Sequence, residues 1–416
     1  MARVLVLTLL FPPDGVSTAQ IVGDLVIDLA AQGHDLTVFT TTPHYNRDVV
    51  AETSQPLQNW WGPVLRRSSF HGVPVYHVRV PRKGRSVVMR LVAWTVFHAV
   101  STLASFAYGK GAQLIFAPSP PLTIGLNAWL IGRIKRCPFI YNVQEIYPDI
   151  AISLGALRNR ALIRLAFLLE RFVYSRAAAI TVIAPRMRER LLTKGVPERK
   201  LRVIPNSVDL AQMSPQPRDN AFAREFGLLD RFVVSYAGNL GPAQGLETVL
   251  DAAAQLQTTD GPLIVFIGGG ILEAALRVGI ADSHLMNVRL LPHQPYARVP
   301  EIYAASDICL VPQAAGTGSE AIPSKIYRIM ACGKPVIASA DARSDLAQLI
   351  NESGCGGVVP PQDSAALVSK IKEALEHPQR WAAKGAAGRA YVDLHYSRTT
   401  VARIYEALIT AVARSD

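Results

Sequence analysis

Cysteine is scarce in this sequence. Among 416 residues there are four, Cys137, Cys309, Cys332 and Cys355, and no two of them form a Cys-x-x-Cys pair or lie near clustered histidines. This spacing argues against both a disulfide framework and a zinc site. Each cysteine lies in or beside an apolar run, so we expect buried free thiols in a reducing compartment and no metal centre.

Acidic residues are few in the first half of the chain. Residues 1–210 hold 25 Lys/Arg and 12 Asp/Glu, whereas residues 211–416 hold 18 and 20. The net charge is therefore +13 in the first half and −2 in the second. This asymmetry predicts an anionic partner for the first half, either nucleic acid or an anionic membrane surface. No RNP-type sequence, helix-turn-helix or aromatic-interleaved basic repeat is present, so we expect no nucleic acid.

Long apolar runs are also rare, and the main one lies in residues 86–108. About seventeen residues from Leu91 to Ala107 carry no charge, and a cluster of Arg and Lys at residues 79–90 precedes them. The run is marginal in length for crossing a bilayer, which makes a span the least favoured reading. A helix lying in the membrane interface and a buried domain helix both remain open.

Glycine and proline come to 57 of 416 residues, an average usage that excludes a collagen-like or a disordered chain. Short apolar runs alternate with amphipathic helical ones, which predicts doubly wound parallel sheets of the α/β class. The N-terminal MARVLVLTLLF is expected to be the first strand rather than a signal peptide. The predicted strands are 4–9, 36–40, 75–78, 114–117, 139–143, 179–183, 202–204, 232–236, 263–267, 288–291, 308–311, 335–338 and 357–359.

Two domains are expected from the length and from a linker rich in Pro, Asn, Asp and Ser. We place the linker near Pro205 to Arg218. The first domain then covers residues 1–205 and the second 206–396, and the helical pattern of 397–416 crosses back to the first domain. Because ligands bind at the carboxyl ends of such strands, the loops after the strands should hold the site, in a cleft that the domains face.

Three loops carry glycine before a predicted helix. Gly15 lies in FPPDGVST after the first strand, and Gly238 and Gly241 lie in AGNLGPAQGLE at the start of the second domain. Such turns allow a phosphate to approach backbone N–H groups. A later GGG at 268–270 lacks the third glycine of a dinucleotide fingerprint, where Glu273 stands, so a nicotinamide site is not expected.

The strongest constellation is GTGSEAIPSKIYRIMACGKPVIA, residues 316–338. Ser324 is predicted to cap a helix that ends at Gly333, before a buried strand. The loop therefore presents amides, a hydroxyl, the Glu320 carboxylate and Lys325 together. This combination suits a sugar diphosphate, since Lys325 meets the negative charge and Glu320 accepts hydrogen bonds from hydroxyls.

Over nearly its whole length the chain resembles the family 4 glycosyltransferases with the GT-B fold, within their bacterial polysaccharide-assembly branch of fucosaminyl- and colanic-acid-type transferases. The resemblance rests on FPPDG, GHDLTVFTTTPHYN, VQEIYPDIA, VIPNSVD, YAGNLGPAQGLE and EAIPSKIYRIMACGKPVIA. It implies a retaining, metal-independent transferase with no cofactor, which binds the acceptor in the first domain and the nucleotide-sugar donor mostly in the second.

The resemblance assigns Glu320 to a hydroxyl of the donor sugar. Family members usually carry a second glutamate at the position of Arg328, and many have Arg and Lys at the positions of Asn239 and Gln244. With those residues replaced, Lys325 and Arg328 must supply the charge that opposes the diphosphate.

The remaining assignments concern the diphosphate, the base and the acceptor. Amides around Gly15 and Gly241, with Ser324, should hold the diphosphate, and backbone groups at Pro292 and His293 should read the base. Family members often carry a His-Asp pair where this chain has Gln144 and Glu145. Glu145 is therefore the candidate for orienting the acceptor or moving its proton, and an exposed structural acid is the other reading.

The expected reaction moves a sugar from a UDP donor to a polyprenyl-diphosphate-linked or other cell-surface polysaccharide precursor. An N-acetylated hexosamine or deoxyhexosamine is the expected sugar, and the inner face of the cell membrane is the expected location of a peripheral enzyme. The alternative is a catalytically silent GT-B subunit of a membrane assembly. A sugar-nucleotide epimerase lacks the paired acids it would need.

Overall fold

The computed structural model describes residues 1–44, 49–81, 87–316 and 322–414, and the chain divides into two compact units. Unit 1 comprises Met1–Asn206 together with Arg398–Asp416, and unit 2 comprises Ser207–Ser397. The predicted linker, 205–218, contains the point at which the chain leaves unit 1.

Unit 1 is built on one sheet, which has nine strands in the described part of the chain. They are β1 (Arg3–Leu7), β2 (Asp35–Thr41), β3 (Gln58–Trp61), β4 (Leu65–Phe70), β5 (Val73–Val78), β6 (Leu114–Pro118), β7 (Phe139–Val143), β8 (Ala179–Val182) and β9 (Leu201–Val203). Their spatial order is β3-β4-β5-β2-β1-β6-β7-β8-β9, parallel throughout except that β4 runs antiparallel to both its neighbours.

Helices cover both faces of this sheet. They are α1 (Ser17–Ala31), α2 (Val49–Ser54), α3 (Val87–Tyr108), α4 (Thr123–Lys135), α5 (Asp149–Ser153), α6 (Arg160–Arg176), α7 (Pro185–Thr193) and α16 (Arg398–Ala413). Successive strand residues show the two layers: Phe116 meets Tyr405 of α16, whereas Ile115 faces α4 near Gly132. Because it is covered on both sides, β6 is buried along its whole length.

The C-terminal helix α16 belongs to unit 1, although it follows every strand of unit 2. Its Val401, Tyr405 and Ile409 are buried in the core that β1, β6 and α1 share. Arg398, at its start, pairs with Asp28 on α1 at 2.7 Å. The predicted helix over 397–413 is confirmed within one residue.

Unit 2 holds a parallel sheet of six strands among the described residues, in the order β12-β11-β10-β13-β14-β15. The strands are β10 (Val233–Ala237), β11 (Leu263–Ile267), β12 (Val288–Leu291), β13 (Ile308–Leu310), β14 (Val336–Ser339) and β15 (Gly356–Val359). The helices are α8 (Ala221–Glu225), α9 (Glu247–Gln255), α10 (Glu273–Asp282), α11 (Val299–Ala304), α12 (Lys325–Ala331), α13 (Asp345–Ser353), α14 (Ser364–Glu376) and α15 (Pro378–His395). The four cysteines of the chain are free and buried.

Helix α3 coincides with the predicted apolar segment, and only one of its faces is buried. Ala93, Phe97 and Ala104 point into unit 1, whereas Leu103 and Phe106 are about half exposed. In the described residues, 91–108 is the one segment whose length and composition would allow it to cross a membrane. Helix α3 therefore buries one face within unit 1 and exposes the other, and the choice between a domain helix and an interfacial helix stays a prediction.

Candidate active site

The turn after β10 depends on glycine because the loop after β11 packs directly against it. Gly238 has φ +148°, and its N–H donates to Ile267 O at 2.9 Å. A Cβ at Gly268 would lie 1.9 Å from Gly238 O, and one at Gly270 would lie 2.3 Å from Leu240 O. The GGG after β11 thus allows the loops after β10 and β11 to pack closely.

The turn continues into a loop that Gln244 closes. Gly241 N–H donates to Gln244 Oε1 at 3.1 Å, and Gln244 N–H donates to Gly241 O at 3.2 Å. Ala314 N–H, after β13, donates to Ala243 O at 2.9 Å and holds the loop in place. The Gly241 amide that we expected to meet a diphosphate is therefore already occupied in this structure, and Gln244 acts as a loop-closing residue.

Lys325 is the first residue of α12, and its ammonium is enclosed. Nζ lies 3.6 Å from the centroid of the Tyr236 ring, and a Cβ on Gly238 would come within 2.7 Å of it. Burial, with Arg328 nearby, lowers the pKa of Lys325 to about 7. No carboxylate in the described part of the chain lies within ion-pair range of Nζ. An anion that entered here would supply the missing counter-charge.

Tyr236 forms the floor beneath Lys325. It ends the buried part of β10, and its hydroxyl donates to Asn239 O at 2.6 Å. Burial raises the pKa of Tyr236, so the ring stays neutral and the cation meets its π face. Asn239 itself is exposed at the top of the turn. Sequence reasoning missed Tyr236 because a tyrosine in an apolar strand looks like ordinary core.

Ser324 does not cap α12, so the capping prediction is wrong. Its backbone is helical, with φ −60° and ψ −19°, and the side chain makes no capping hydrogen bond. The N–H of Ile326 donates to Pro323 O at 3.2 Å, which means that the backbone before Ser324 already serves the first turn.

Arg328 lies one turn after Lys325 and connects α12 with the loop after β12. Its guanidinium lies 4.9 Å from the centroid of the Tyr296 ring. In the same loop Pro292 and His293 are exposed, and Pro292 O accepts a hydrogen bond from Gln294 Nε2 at 3.1 Å. The structure thus places the predicted base-reading loop on the same side of unit 2 as the second cation of α12.

The Gly15 turn of unit 1 is held by its neighbour Asp14. The Asp14 carboxylate is almost completely buried and accepts a hydrogen bond from His44 N–H at 3.1 Å. Asp14 N–H in turn donates to Phe11 O at 3.1 Å. Gly15 is half-buried two residues before α1 begins, so the predicted turn is present and fixed.

Glu145 follows β7, and burial raises the pKa of its carboxyl. The adjacent Gln144 is held by amide hydrogen bonds: Gln144 Nε2 donates to Asn142 Oδ1 at 2.7 Å, and Asn206 Nδ2 donates to Gln144 Oε1 at 2.8 Å. Asn142 Nδ2 also donates to Tyr405 of α16 at 3.1 Å. This buried network fixes the backbone that carries Glu145, and Asn206 in it is a residue that sequence reasoning missed.

The predicted residues are therefore distributed over the two units. Unit 2 brings Gly238, Asn239, Lys325 and Arg328 together, and unit 1 holds Gly15 and Glu145. Glu320 lies outside the described residues. Among those that are described, no three His, Cys, Asp or Glu side chains form a group that could hold a metal ion.

Comparison with known proteins identifies the family. The family model described as "Glycosyl transferase 4-like domain" matches residues 18–207, and that described as "Glycosyl transferases group 1" matches residues 218–390. The D-inositol 3-phosphate glycosyltransferase 1 of Catenulispora acidiphila is 31% identical over 65% of this chain and 67% of its own length. This chain is a family 4 glycosyltransferase. The predicted family, the α/β fold of two parallel-sheet domains and the enzyme class are thereby confirmed.

One further relative of this glycosyltransferase is named for polysaccharide biosynthesis. WcaI of Escherichia coli K12, assigned by its name to colanic acid biosynthesis, is 26% identical over 96% of this chain and 98% of its own length. HepE of Anabaena, solved in complex with UDP-glucose, superimposes with a TM-score of 0.73 at 18% identity, over 99% of this chain and all of HepE. HepE shows the shared GT-B fold.

Proposed function

We propose that this glycosyltransferase moves a sugar from a UDP-sugar to a polyprenyl-diphosphate-linked or other cell-surface polysaccharide precursor. The sugar is an N-acetylated hexosamine or deoxyhexosamine, transferred with retention and without a metal or other cofactor. The second domain, 206–396, binds the donor, and the first, 1–205, binds the acceptor. The observation that carries the proposal is the enclosed Lys325 ammonium, which has no carboxylate partner in the described residues.

Lys325 and Arg328 give unit 2 the charge that a departing nucleoside diphosphate needs. They lie one turn apart on α12, so both can face one ligand. A diphosphate arriving beside Lys325 stabilises its protonated form, which burial disfavours. Fixed cations in an enclosed site then stabilise the charge that develops on the leaving group.

Glu145 is the proposed partner of the acceptor hydroxyl in unit 1. Its raised pKa brings a carboxyl group nearer to the pH at which it can accept a proton and release it again. The amide network of Gln144 and Asn206 holds its backbone in one position. Glu320 is proposed to orient the donor sugar through its hydroxyls.

The lipid-linked acceptor places the enzyme on the inner face of the cell membrane as a peripheral protein. Two features support this: the apolar outward face of α3 and the net charge of the first half of the chain. The names of other relatives mention phosphatidylinositol mannosides and GDP-mannose, for example in Mycolicibacterium smegmatis. A GDP-sugar is therefore the alternative donor that the experiment below tests.

The first experiment is a thermal-shift panel of UDP, GDP, ADP, CMP and dTDP, because a ligand of the native state raises the melting temperature. A shift with UDP alone supports the proposal. A shift with GDP alone shows that the donor is a GDP-sugar and not a UDP-sugar. No shift with any of them favours the silent GT-B subunit. The role of Lys325 is tested with Lys325→Ala. If this variant turns over within about threefold of wild type, the loss of transition-state stabilisation is under about 0.7 kcal/mol and Lys325 does not belong to the site.

A further inference from the structure

Helices α3, α4 and α6 expose large apolar side chains on their outward faces. Leu103 and Phe106 on α3, Leu130 and Ile134 on α4, and Leu165 and Leu168 on α6 are each between 42% and 62% exposed. Twelve of the 22 large apolar side chains that are exposed in the described part of the chain lie on these three helices. Such a concentration on a folded domain indicates a surface that contacts another body.

The three helices form one surface because their inner sides are joined. Asn127 of α4 bonds to Ser101 and Thr102 of α3 through its two amide atoms, at 2.9 and 2.7 Å. The rings of Trp129 on α4 and Phe172 on α6 meet edge to face at 4.9 Å. These contacts hold α3 within unit 1 and keep the six apolar side chains on the outward side. We call this outward side the α3–α4–α6 surface.

The charge around this surface has one sign. The sequence contains no Asp or Glu between Glu52 and Glu145. Arg133 on α4 and Arg164 on α6 are exposed beside the apolar residues. The acid of α6, Glu170, points inward and pairs with Lys194 at 2.6 Å. Cations therefore surround apolar side chains without opposing carboxylates among them.

We propose that the α3–α4–α6 surface docks on an anionic lipid bilayer, with α6 and α4 contributing as much as α3. The leucines enter the acyl boundary, and the arginines stay at the phosphate level, where their long stems allow them to reach the headgroups. A second copy of this chain fits less well, because a two-fold contact would bring two arrays of arginine face to face. Docking deepens the proposed function and rests on it for the lipid-linked acceptor.

The test is flotation of the purified full-length protein with phosphatidylcholine vesicles that contain or lack phosphatidylglycerol. Wild type should float with the anionic vesicles, less at about 0.5 M salt, and remain soluble with neutral ones. The double variant L165E/L168E on α6 should reduce the vesicle-bound fraction at least about tenfold. The matched control is Val278→Glu on α10 of unit 2, an equally exposed position that should float like wild type.

Three results would overturn the inference. The first is recovery of wild type wholly from the soluble fraction at low salt, and the second is flotation of L165E/L168E to the same extent as wild type. The third is a dimer, detected by light scattering, that is lost in L165E/L168E and that persists when vesicles are added to wild type. Circular dichroism and melting temperature confirm that each variant is folded.

The same samples separate failure of docking from failure of the proposed function. L165E/L168E should keep the UDP-induced rise in melting temperature and lose sugar transfer only to acceptor embedded in vesicles. A protein that floats but shows no shift with any nucleotide retains the docking surface and loses the proposed reaction.

Discussion

Replacing Lys325 by methionine should stabilise the free protein while it removes the donor site. The pKa of Lys325 falls from 10.5 to about 7 on folding because its ammonium is buried. Because the pKa is lower in the folded protein than in the unfolded chain, the unfolded chain binds the proton more tightly. The buried Lys325 therefore destabilises the folded protein, and the destabilisation has its full value below about pH 7. This cost is about 5 kcal/mol at low pH and declines as the pH rises toward 10.5.

Methionine has a similar length and no charge, so it can fill the space above Tyr236. It forfeits the attraction of the ammonium for the ring, about 2 kcal/mol in a dry setting. Lys325→Met should therefore be about 2 to 3 kcal/mol more stable than wild type near pH 7. Between about pH 7 and 9 wild type should recover about 2 kcal/mol of that difference as its lysine loses the proton.

Urea unfolding followed by circular dichroism at several pH values measures both quantities. Lys372→Met on α14 is the matched control, since Lys372 is exposed and its replacement should leave the pH profile of wild type unchanged. The reasoning is refuted if the gap between Lys325→Met and wild type is the same at both ends of the pH range. The ammonium would then be solvated, and a diphosphate would not be needed to neutralise it.

Three further predictions use the same site and its supports. UDP affinity, measured by calorimetry, should fall by up to about tenfold per pH unit above pH 7 as Lys325 loses its proton, and Lys325→Arg should flatten this dependence because arginine keeps its charge. Gly268→Ala should lower the melting temperature sharply, since its Cβ would lie 1.9 Å from Gly238 O, whereas Gly269→Ala meets its nearest atom at 3.8 Å and should melt like wild type. Gln144→Ala should lower the free energy of unfolding by about 1–3 kcal/mol, because it removes a hydrogen-bond partner from the buried Asn142 and Asn206. Urea unfolding measures this loss. Comparison with Gln144→Glu, which keeps the side-chain size, shows how much of it depends on the amide.

The buried strands were predictable because parallel strands covered on both faces are continuous apolar runs. All thirteen predicted strands are present, and 139–143, 263–267 and 288–291 agree at both ends. The two strands that were missed, β3 and β4, pair antiparallel at the edge of the sheet. Every residue of β3 is exposed, so no apolar pattern marks it.

The site was predictable as far as it depends on local chain geometry. Gly238 and Lys325 could be proposed as site residues because the sequence marks a turn at the first and a helix start at the second. The contact between Lys325 and Tyr236 joins residues 89 positions apart on different elements, and no local pattern encodes it. The predicted Ser324 cap is wrong for a related reason. The N–H of Ile326, from which the serine side chain was expected to be able to accept a hydrogen bond, donates instead to the carbonyl of Pro323.

The order in which the chain is synthesised matters because of α16. The ribosome completes β1 to β9 first, but the face of that sheet which includes Phe116 is covered by Tyr405, at the far end of the chain. All of unit 2 is made in between, which takes roughly 10 to 40 seconds at ordinary elongation rates. During that interval the first domain cannot finish folding. A chimera that exchanges the first domain between two such transferases must therefore exchange the last helix with it.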